Sequence, residues 1–186
     1  EENMKILLTD IDGVILDWSG HFNKYLKTYH PDLGLMNPTE FDQASDIAKV
    51  MHRFNTSAWL GWLQPLRDAQ EVLPKFKEAG YDIICCTAMG DDPYSQALRK
   101  VNLENVFPNM ISRMDTTGFG VPKAEWLSQW KGSGAVWVED KWVNARAGAD
   151  IGLETYLMKQ SYNSMHDYKG VEKVDNWTQI YNKVVK

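Results

Sequence analysis

Short apolar runs that end in polar residues alternate along this chain with stretches of helical periodicity, and that alternation constrains the fold more than any other feature. Ile6 to Leu8 is the first run and stops at Thr9-Asp10. Tyr81 to Thr87, Ala135 to Val138 and Leu153 to Met158 repeat it, with Asn109 to Ser112 as a shorter strand. Between them, Ala69, Val72, Leu73 and Phe76 mark one helix face, with Gly80 as its stop. Ser95 to Asn102, Lys123 through Trp126, Leu127 and Trp130, and Val143 to Ala149 supply further helices, the last stopped near Gly152. Trp177, Ile180, Tyr181 and Val184 form a final helix face behind a cap at Asp175 or Asn176. Strands this apolar are buried on both sides. The predicted fold is therefore α/β, a Rossmann-like parallel sheet with helices on both faces.

One region breaks the alternation. No strand pattern appears between the first run and Tyr81. Instead Phe22, Tyr25, Leu26 and Tyr29, and then Ile47, Val50, Met51 and Phe54, recur at helical spacing, interrupted by Pro31, Gly34 and Pro38. Pro38-Thr39-Glu40 offers a turn before the second helix. Residues 17–65 are accordingly expected to form a small helical cap inserted after the first strand, with residues 4–16 and 66–186 forming the core domain. The insert holds Trp18, Trp59 and Trp62, three of the eight tryptophans.

In open parallel sheets, ligands bind outside the carboxyl ends of the strands. That rule selects the polar residues that matter. Asp10 and Asp12 lie at the end of the first strand, on one side of it because alternate residues share a face, and Gly13 permits a sharp turn away. Thr87 ends the second long run, Glu139-Asp140 ends another, and Lys123 stands at a loop-to-helix junction that can reach the same rim. Two convergent carboxylates are costly to desolvate without a cation or a proton. Asp10 and Asp140 with a backbone carbonyl would suit Mg2+, which binds one or two carboxylates plus substrate phosphate. Asp10 could then attack phosphorus, Asp12 could move protons as acid and base, and Thr87 and Lys123 could receive phosphoryl oxygens.

Each residue alone has a plainer explanation. Asp-x-Asp-Gly can begin a calcium loop, but Val14, Ile15 and Leu16 stand where that loop needs oxygen ligands. Thr87 can be an ordinary strand end, Lys123 a solvated charge, Asp140 a helix cap, and Trp59 and Trp62 core or cap packing. Their joint order along successive elements is what favours a site.

Bulk properties narrow the partner. Acidic residues outnumber basic ones, 25 to 20, and a net charge of −5 disfavours sequence-independent binding to nucleic acid polymers. No apolar run approaches the roughly 20 residues of a membrane span. Adjacent Cys85 and Cys86 suit neither a structural disulfide nor a zinc site and are expected to be reduced and buried. Met4 reads as a natural start, with Glu1 to Asn3 as a remnant ahead of it. A soluble, cytoplasmic protein is expected, with a small-molecule partner and a homodimer left open.

The four motifs together resemble the haloacid dehalogenase-like hydrolase superfamily: Asp10-Ile11-Asp12-Gly13-Val14, Thr87 after its strand, Lys123, and Val138-Glu139-Asp140 running on to Asn144. The resemblance implies Asp10 as nucleophile and Asp12 as acid/base. It further implies Asp10, the Asp12 carbonyl and Asp140 as Mg2+ ligands, Thr87, Ala88 and Lys123 at the phosphate, and Glu139 and Asn144 in support. An acidic residue at position 12 is similar to the phosphatase and phosphomutase branches rather than the dehalogenases. Asp17-Trp18, the stretch Trp59-Leu60-Gly61-Trp62-Leu63-Gln64-Pro65 and Asp175-Asn176-Trp177 resemble the 5'(3')-deoxyribonucleotidases, which implies a nucleoside monophosphate held against Trp18 and Trp59 or Trp62. Ala88 departs from that family's usual Ser and removes a side-chain phosphate contact. Phosphatase action on another small ester, such as a sugar phosphate, and a non-catalytic binding descendant stand as alternatives.

Overall fold

The computed structural model describes residues 4–33 and 46–185. Six parallel strands form one sheet: β1 (Lys5–Thr9), β2 (Tyr81–Thr87), β3 (Ile111–Thr116), β4 (Val136–Glu139), β5 (Glu154–Met158) and β6 (Val171–Val174). Their order is β3-β2-β1-β4-β5-β6. The order reverses between β1 and β4, so a crevice opens at the carboxyl ends of those two strands. Register places Leu8 opposite both Ile84 and Trp137, which aligns those ends.

Alternation along the strands builds two apolar layers. Leu7, Ile83, Cys85, Val136 and Val138 face one side, against α3 (Ala69–Glu78), α4 (Pro93–Val106) and α7 (Trp177–Val184). Leu8, Ile84 and Trp137 face the other, beside Leu127 of α5 (Ala124–Ser128) and Ala147 of α6 (Trp142–Asp150). Helices on both faces of a parallel sheet are what the apolar runs require, because neither face can be left wet. Cys85 and Cys86 are free and buried within β2. Among the described residues no helix is long and apolar enough to cross a membrane.

Two strands depart from the sequence reading, both at sheet edges. β3 begins and ends later than Asn109 to Ser112, running on through Asp115 and Thr116. β6 has no counterpart in that reading. Each pairs with a single neighbour, β2 or β5, so its outer side needs no apolar residues and its sequence carries charge instead.

The stretch after β1 is helical, with α1 (Trp18–Tyr29), a 3-10 turn at Pro31–Leu33, α2 (Asp46–Asn55) and a second 3-10 turn at Ala58–Trp62. Gly34 and the turn expected at Pro38-Thr39-Glu40 lie outside the described residues. The stretch leaves and returns at one place: Leu66 N–H donates to the Ile15 carbonyl and Asp17 N–H to the Gln64 carbonyl, both at 2.9 Å. Among the described residues its apolar side chains have no core of their own. Phe22, Leu26, Val50 and Phe54 are continuous with the sheet layer that holds Leu7 and Val138.

The C-terminal helix is tied to the front of the molecule by side chains far away in sequence. Asp68 accepts from the backbone N–H groups of Trp177 and Thr178, both at 2.9 Å, and from the Thr178 hydroxyl. Asn176 caps Gln179 N–H. Burial opposes charge on Asp68, but these hydrogen bonds outweigh it and hold the carboxyl below its ordinary value. A group with a depressed native pKa contributes stability above its unfolded pKa and loses it as pH falls through the native one. Asp68→Ala is therefore expected to destabilise the protein by about 1–2 kcal/mol at pH 7. In chemical denaturation the gap from wild type should shrink as pH drops below the ordinary aspartate range. A gap that stays constant with pH would rule out a charged cap.

Candidate active site

β1 and β4 bring their terminal acids to one crevice. Asp10 N–H donates to the Val138 carbonyl at 2.9 Å, which fixes the two strand ends side by side. Asp10 and Asp140 are buried, and Glu139 is wholly so. Lys123, at the start of α5, is also buried, with its ammonium 2.8 Å from both the Asp10 and Glu139 carboxylates. Asn144 accepts from Lys123 N–H at 3.1 Å through its side chain, and its own carbonyl takes the Trp137 indole N–H. A residue of α6 thus sets the starting point of the helix that presents Lys123.

The charges in this crevice are strongly coupled. Burial, reinforced by the Glu139 carboxylate, pushes Asp10 up to about 7 against the pull of Lys123. Burial and then Asp10 push Asp140 up to about 6. Burial works against the Lys123 charge, but Asp10 and Glu139 outweigh it and hold the ammonium protonated beyond the ordinary lysine range. Burial also raises Asp12, while Arg99 opposes the rise with a 2.6 Å ion pair. Some 31% of the Asp12 side chain still faces solvent, which tempers that desolvation. The neighbouring thiols are not rival nucleophiles, because burial pushes Cys86 up to about 12 and Cys85 further still.

Whether these residues suit a divalent cation can be read from their commitments. Carboxylate oxygens of Asp10, Glu139 and Asp140 lie within 4.8 Å of one another. Glu139 is already spent: one oxygen accepts from the N–H groups of Asp140 and Lys141, the other from Lys123. Asp140 Oδ1, by contrast, is buried with no hydrogen-bond partner. An orphaned buried carboxylate oxygen is costly unless a cation takes it. Hard oxygen donors in a tight acidic pair fit Mg2+, and Asp10 and Asp140 would hold it. Gly13 adopts φ 75°, and a Cβ there would collide with the Asp140 carboxylate. Only glycine lets the loop after β1 pass this close.

Above the acids lies an open cleft. Thr87 and Ala88 line it beside Asp10, Asp12, Lys123, Asp140 and Asn144, so the structure gathers these predicted residues at one rim. Trp18 lines the side nearest the insert, joined by Ser19, Met51 and Asn55, and Phe119 closes another side. Trp18 is only 7% exposed, one ring face stacked on Phe22 with centroids 4.7 Å apart.

Trp59 and Trp62, expected at the substrate, line no part of this cleft. Trp59 packs edge-on against Tyr25 and Tyr29 and tilted against Phe54, filling the inside of the insert. Trp62 is 68% exposed at the end of a 3-10 turn whose inward positions are held by Leu60 and Gly61. The 3-10 repeat of about three residues per turn put both rings on sides the sequence did not reveal.

Several residues of the site were not legible in the sequence. Arg99 is buried on the inner face of α4 and reaches Asp12, while its Nε and Nη1 have no partner. Tyr162 donates its hydroxyl to Asp140; burial and that carboxylate raise the phenol, which keeps its proton in place. Asn163 donates to the carbonyls of Asp140 and Met158, and Gln160 to the Gly13 carbonyl at 2.8 Å. The Trp177 indole holds the Val14 carbonyl at 2.8 Å. The carboxyl end of β5 was the one available signal, since residues just past it face the same crevice.

No protein-family model matches the chain. Over 120 residues it is 28% identical to an uncharacterized 32.4 kDa protein of Enterobacteria phage T4 from the Gp30-rIII intergenic region. That match spans 58% of this chain and 43% of the phage protein's length. Solved structures are similar across nearly the whole chain. A dehalogenase matches with a TM-score of 0.67 at 14% identity, covering 100% of this chain and 99% of its own. A haloacid dehalogenase-like family hydrolase from Streptococcus pneumoniae gives 0.65 at 12%, covering 98% and 99%. The D,D-heptose 1,7-bisphosphate phosphatase of B. bronchiseptica, solved with magnesium and phosphate, gives 0.64 at 12%, covering 98% of each. The sheet order, the placement of its acids and these likenesses give the chain the haloacid dehalogenase-like fold.

Proposed function

We propose that the protein is a Mg2+-dependent phosphomonoesterase that works through an aspartyl-phosphate, with a (deoxy)nucleoside monophosphate as substrate. The observation that carries this reading is the buried Asp10–Lys123–Glu139 ion cluster, with Asp12 two residues beyond Asp10 at the mouth of the same cleft. Lys123 opposes protonation of Asp10 and lends positive charge to a phosphoryl group above it. A dication between Asp10 and Asp140 would neutralise phosphate charge and relieve the repulsion between the two acids.

In the first step an Asp10 oxygen bonds to phosphorus as the bond to the leaving oxygen breaks, and Asp12 gives that oxygen its proton. In the second, Asp12 takes a proton from water, whose oxygen bonds to phosphorus as the bond to Asp10 breaks. Orthophosphate leaves, with Asp10 again a carboxylate and Asp12 again an acid. The raised pKa of Asp12 suits the donor half of this cycle and its Arg99 partner suits the acceptor half. The insert, hinged where Leu16 and Pro65 pair, would close over the leaving group and exclude water.

The nucleotide part rests on the resemblance around Trp18 and on an insert wall made of Trp18, Met51 and Asn55. A panel of nucleoside 5'- and 3'-monophosphates, sugar phosphates and phenyl phosphate, assayed for phosphate release with and without Mg2+, tests it. Mg2+-dependent release, fastest from nucleotides, is the expected result. Faster release from sugar phosphates would move the substrate class, and no release from any ester would remove the enzyme reading.

A further inference from the structure

The loop that follows β5 closes on both acidic strand ends at once. Asn163 is buried; it donates to the carbonyls of Asp140 and Met158 at 2.8 and 2.9 Å, and its side-chain oxygen accepts from Gln160 N–H at 2.9 Å. Gln160 in turn holds the Gly13 carbonyl. These bonds set the path of the loop and bring Tyr162 to the end of β4, where its hydroxyl donates to Asp140 Oδ2. A phenol of ordinary acidity keeps its proton at neutral pH, so the carboxylate oxygen is the acceptor. Gly13 packs on the same oxygen: a Cβ there would meet Asp140 Oδ2 and the Tyr162 hydroxyl together. The two oxygens of Asp140 are therefore unlike. Oδ2 is enclosed and bonded, whereas Oδ1 is buried with no hydrogen-bond partner.

We propose that Tyr162 is a positioning residue that confines Asp140 to a single metal-binding oxygen and thereby sets the selectivity of the acidic crevice between Mg2+ and Ca2+. This rests on the cation site of the phosphomonoesterase reading, and it gives a role to a side chain outside the acids themselves. Ion size is the physical basis. Ca2+ takes roughly six to eight oxygens and often both oxygens of one carboxylate, whereas Mg2+ holds a smaller, stricter shell and keeps several waters. A carboxylate with one oxygen committed to a phenol suits Mg2+ and deprives Ca2+ of a ligand. Removing a group that hydrogen-bonds a metal ligand typically changes affinity by about 10–100-fold. Tyr162 acts here through Asp140, and the direction of the change differs between the two ions.

Calorimetric titration of the whole protein with MgCl2 and with CaCl2, with no ester present, tests the assignment. Wild type is expected to bind Mg2+ at least as tightly as Ca2+. Tyr162→Phe keeps the ring and removes the hydroxyl, while the Asn163 and Gln160 bonds hold the loop without it. With Oδ2 freed, the ratio of the two dissociation constants should move toward Ca2+ by about tenfold or more. A merely structural role would weaken both ions alike, so an unmoved ratio overturns the assignment. Wild type that binds Ca2+ more than about tenfold tighter than Mg2+, or that binds neither ion, overturns it as well. Those two results need no variant, which covers a phenylalanine variant that does not fold. Phosphate release is scored separately. A ratio that moves in a protein hydrolysing no ester upholds the role of Tyr162 and removes the phosphatase reading. Hydrolysis by a protein whose ratio stays fixed removes the role of Tyr162 alone.

Discussion

Asp10→Asn is expected to lower phosphatase turnover by about 10^4-fold or more while leaving the fold in place. The amide has nearly the shape of the carboxylate, so the apolar neighbours of β1 lose no contact. What it loses is the proposed nucleophile, together with one of the two anions that hold the Lys123 ammonium. Glu139 still pairs with Lys123 at 2.8 Å, so the lysine keeps a buried partner. The bond between Asp10 N–H and the Val138 carbonyl is untouched, and with it the alignment of β1 and β4. Single-turnover assays with Mg2+, together with circular dichroism and a thermal melt, check both halves. Activity within tenfold of wild type would show that Asp10 does not attack phosphorus. A lost melt would show instead that the acid is needed for folding.

What the sequence made visible and what it hid follow one physical division. Residues whose chemistry is tied to strand ends were legible, because an apolar run stopping at Asp10, Thr87 or Glu139 announces its own boundary. Arg99 and Tyr162 were hidden for the opposite reason. Arg99 sits on a helix whose buried face carries Ser95, Arg99 and Asn102 among Leu103 and Val106, so no clean apolar stripe marks which side is inside. Tyr162 lies in a loop whose path depends on Asn163 bonding two carbonyls, Asp140 just past β4 and Met158 at the end of β5. Tryptophans divide in the same way. Trp18 follows the motif directly and is placed by it, whereas Trp59 and Trp62 ride on a 3-10 turn whose facing depends on packing against Tyr25 and Phe54. The later half of β3 and the whole of β6 were hidden because a strand with one neighbour can be written in charged residues.

The insert and the acidic crevice are less separate than their places in the sequence imply. Asn102 of α4 accepts from Leu63 N–H and donates to the Leu63 carbonyl, matching the backbone where the insert returns. One turn earlier on that helix, Arg99 reaches Asp12. A movement of the insert would therefore bear on the helix that holds the partner of Asp12, which in the proposed mechanism would link substrate enclosure to the proton-moving residue.

The largest effect on stability is expected from Lys123→Met, about 3–5 kcal/mol when measured by denaturation in the presence of a chelator. Methionine fills a similar volume, so packing against Trp137, whose ring lies 5.4 Å from the ammonium, changes little. The loss comes from charge. Asp10 and Glu139 would be left buried, facing each other with no cation between them, and removing one partner of a buried pair costs far more than the pair contributes. Turnover should collapse as well, because in the proposed mechanism the same ammonium serves the phosphoryl group. The double variant Lys123→Met, Glu139→Gln separates the causes. It removes the second buried charge along with the first, so part of the stability should return while activity does not. Added Mg2+ should also recover stability in the single variant, since a cation bound by Asp10 would take over the missing charge. A single variant that loses less than about 1 kcal/mol would mean that water reaches the cluster and screens it, against the near-complete burial of Lys123, Glu139 and Asp10.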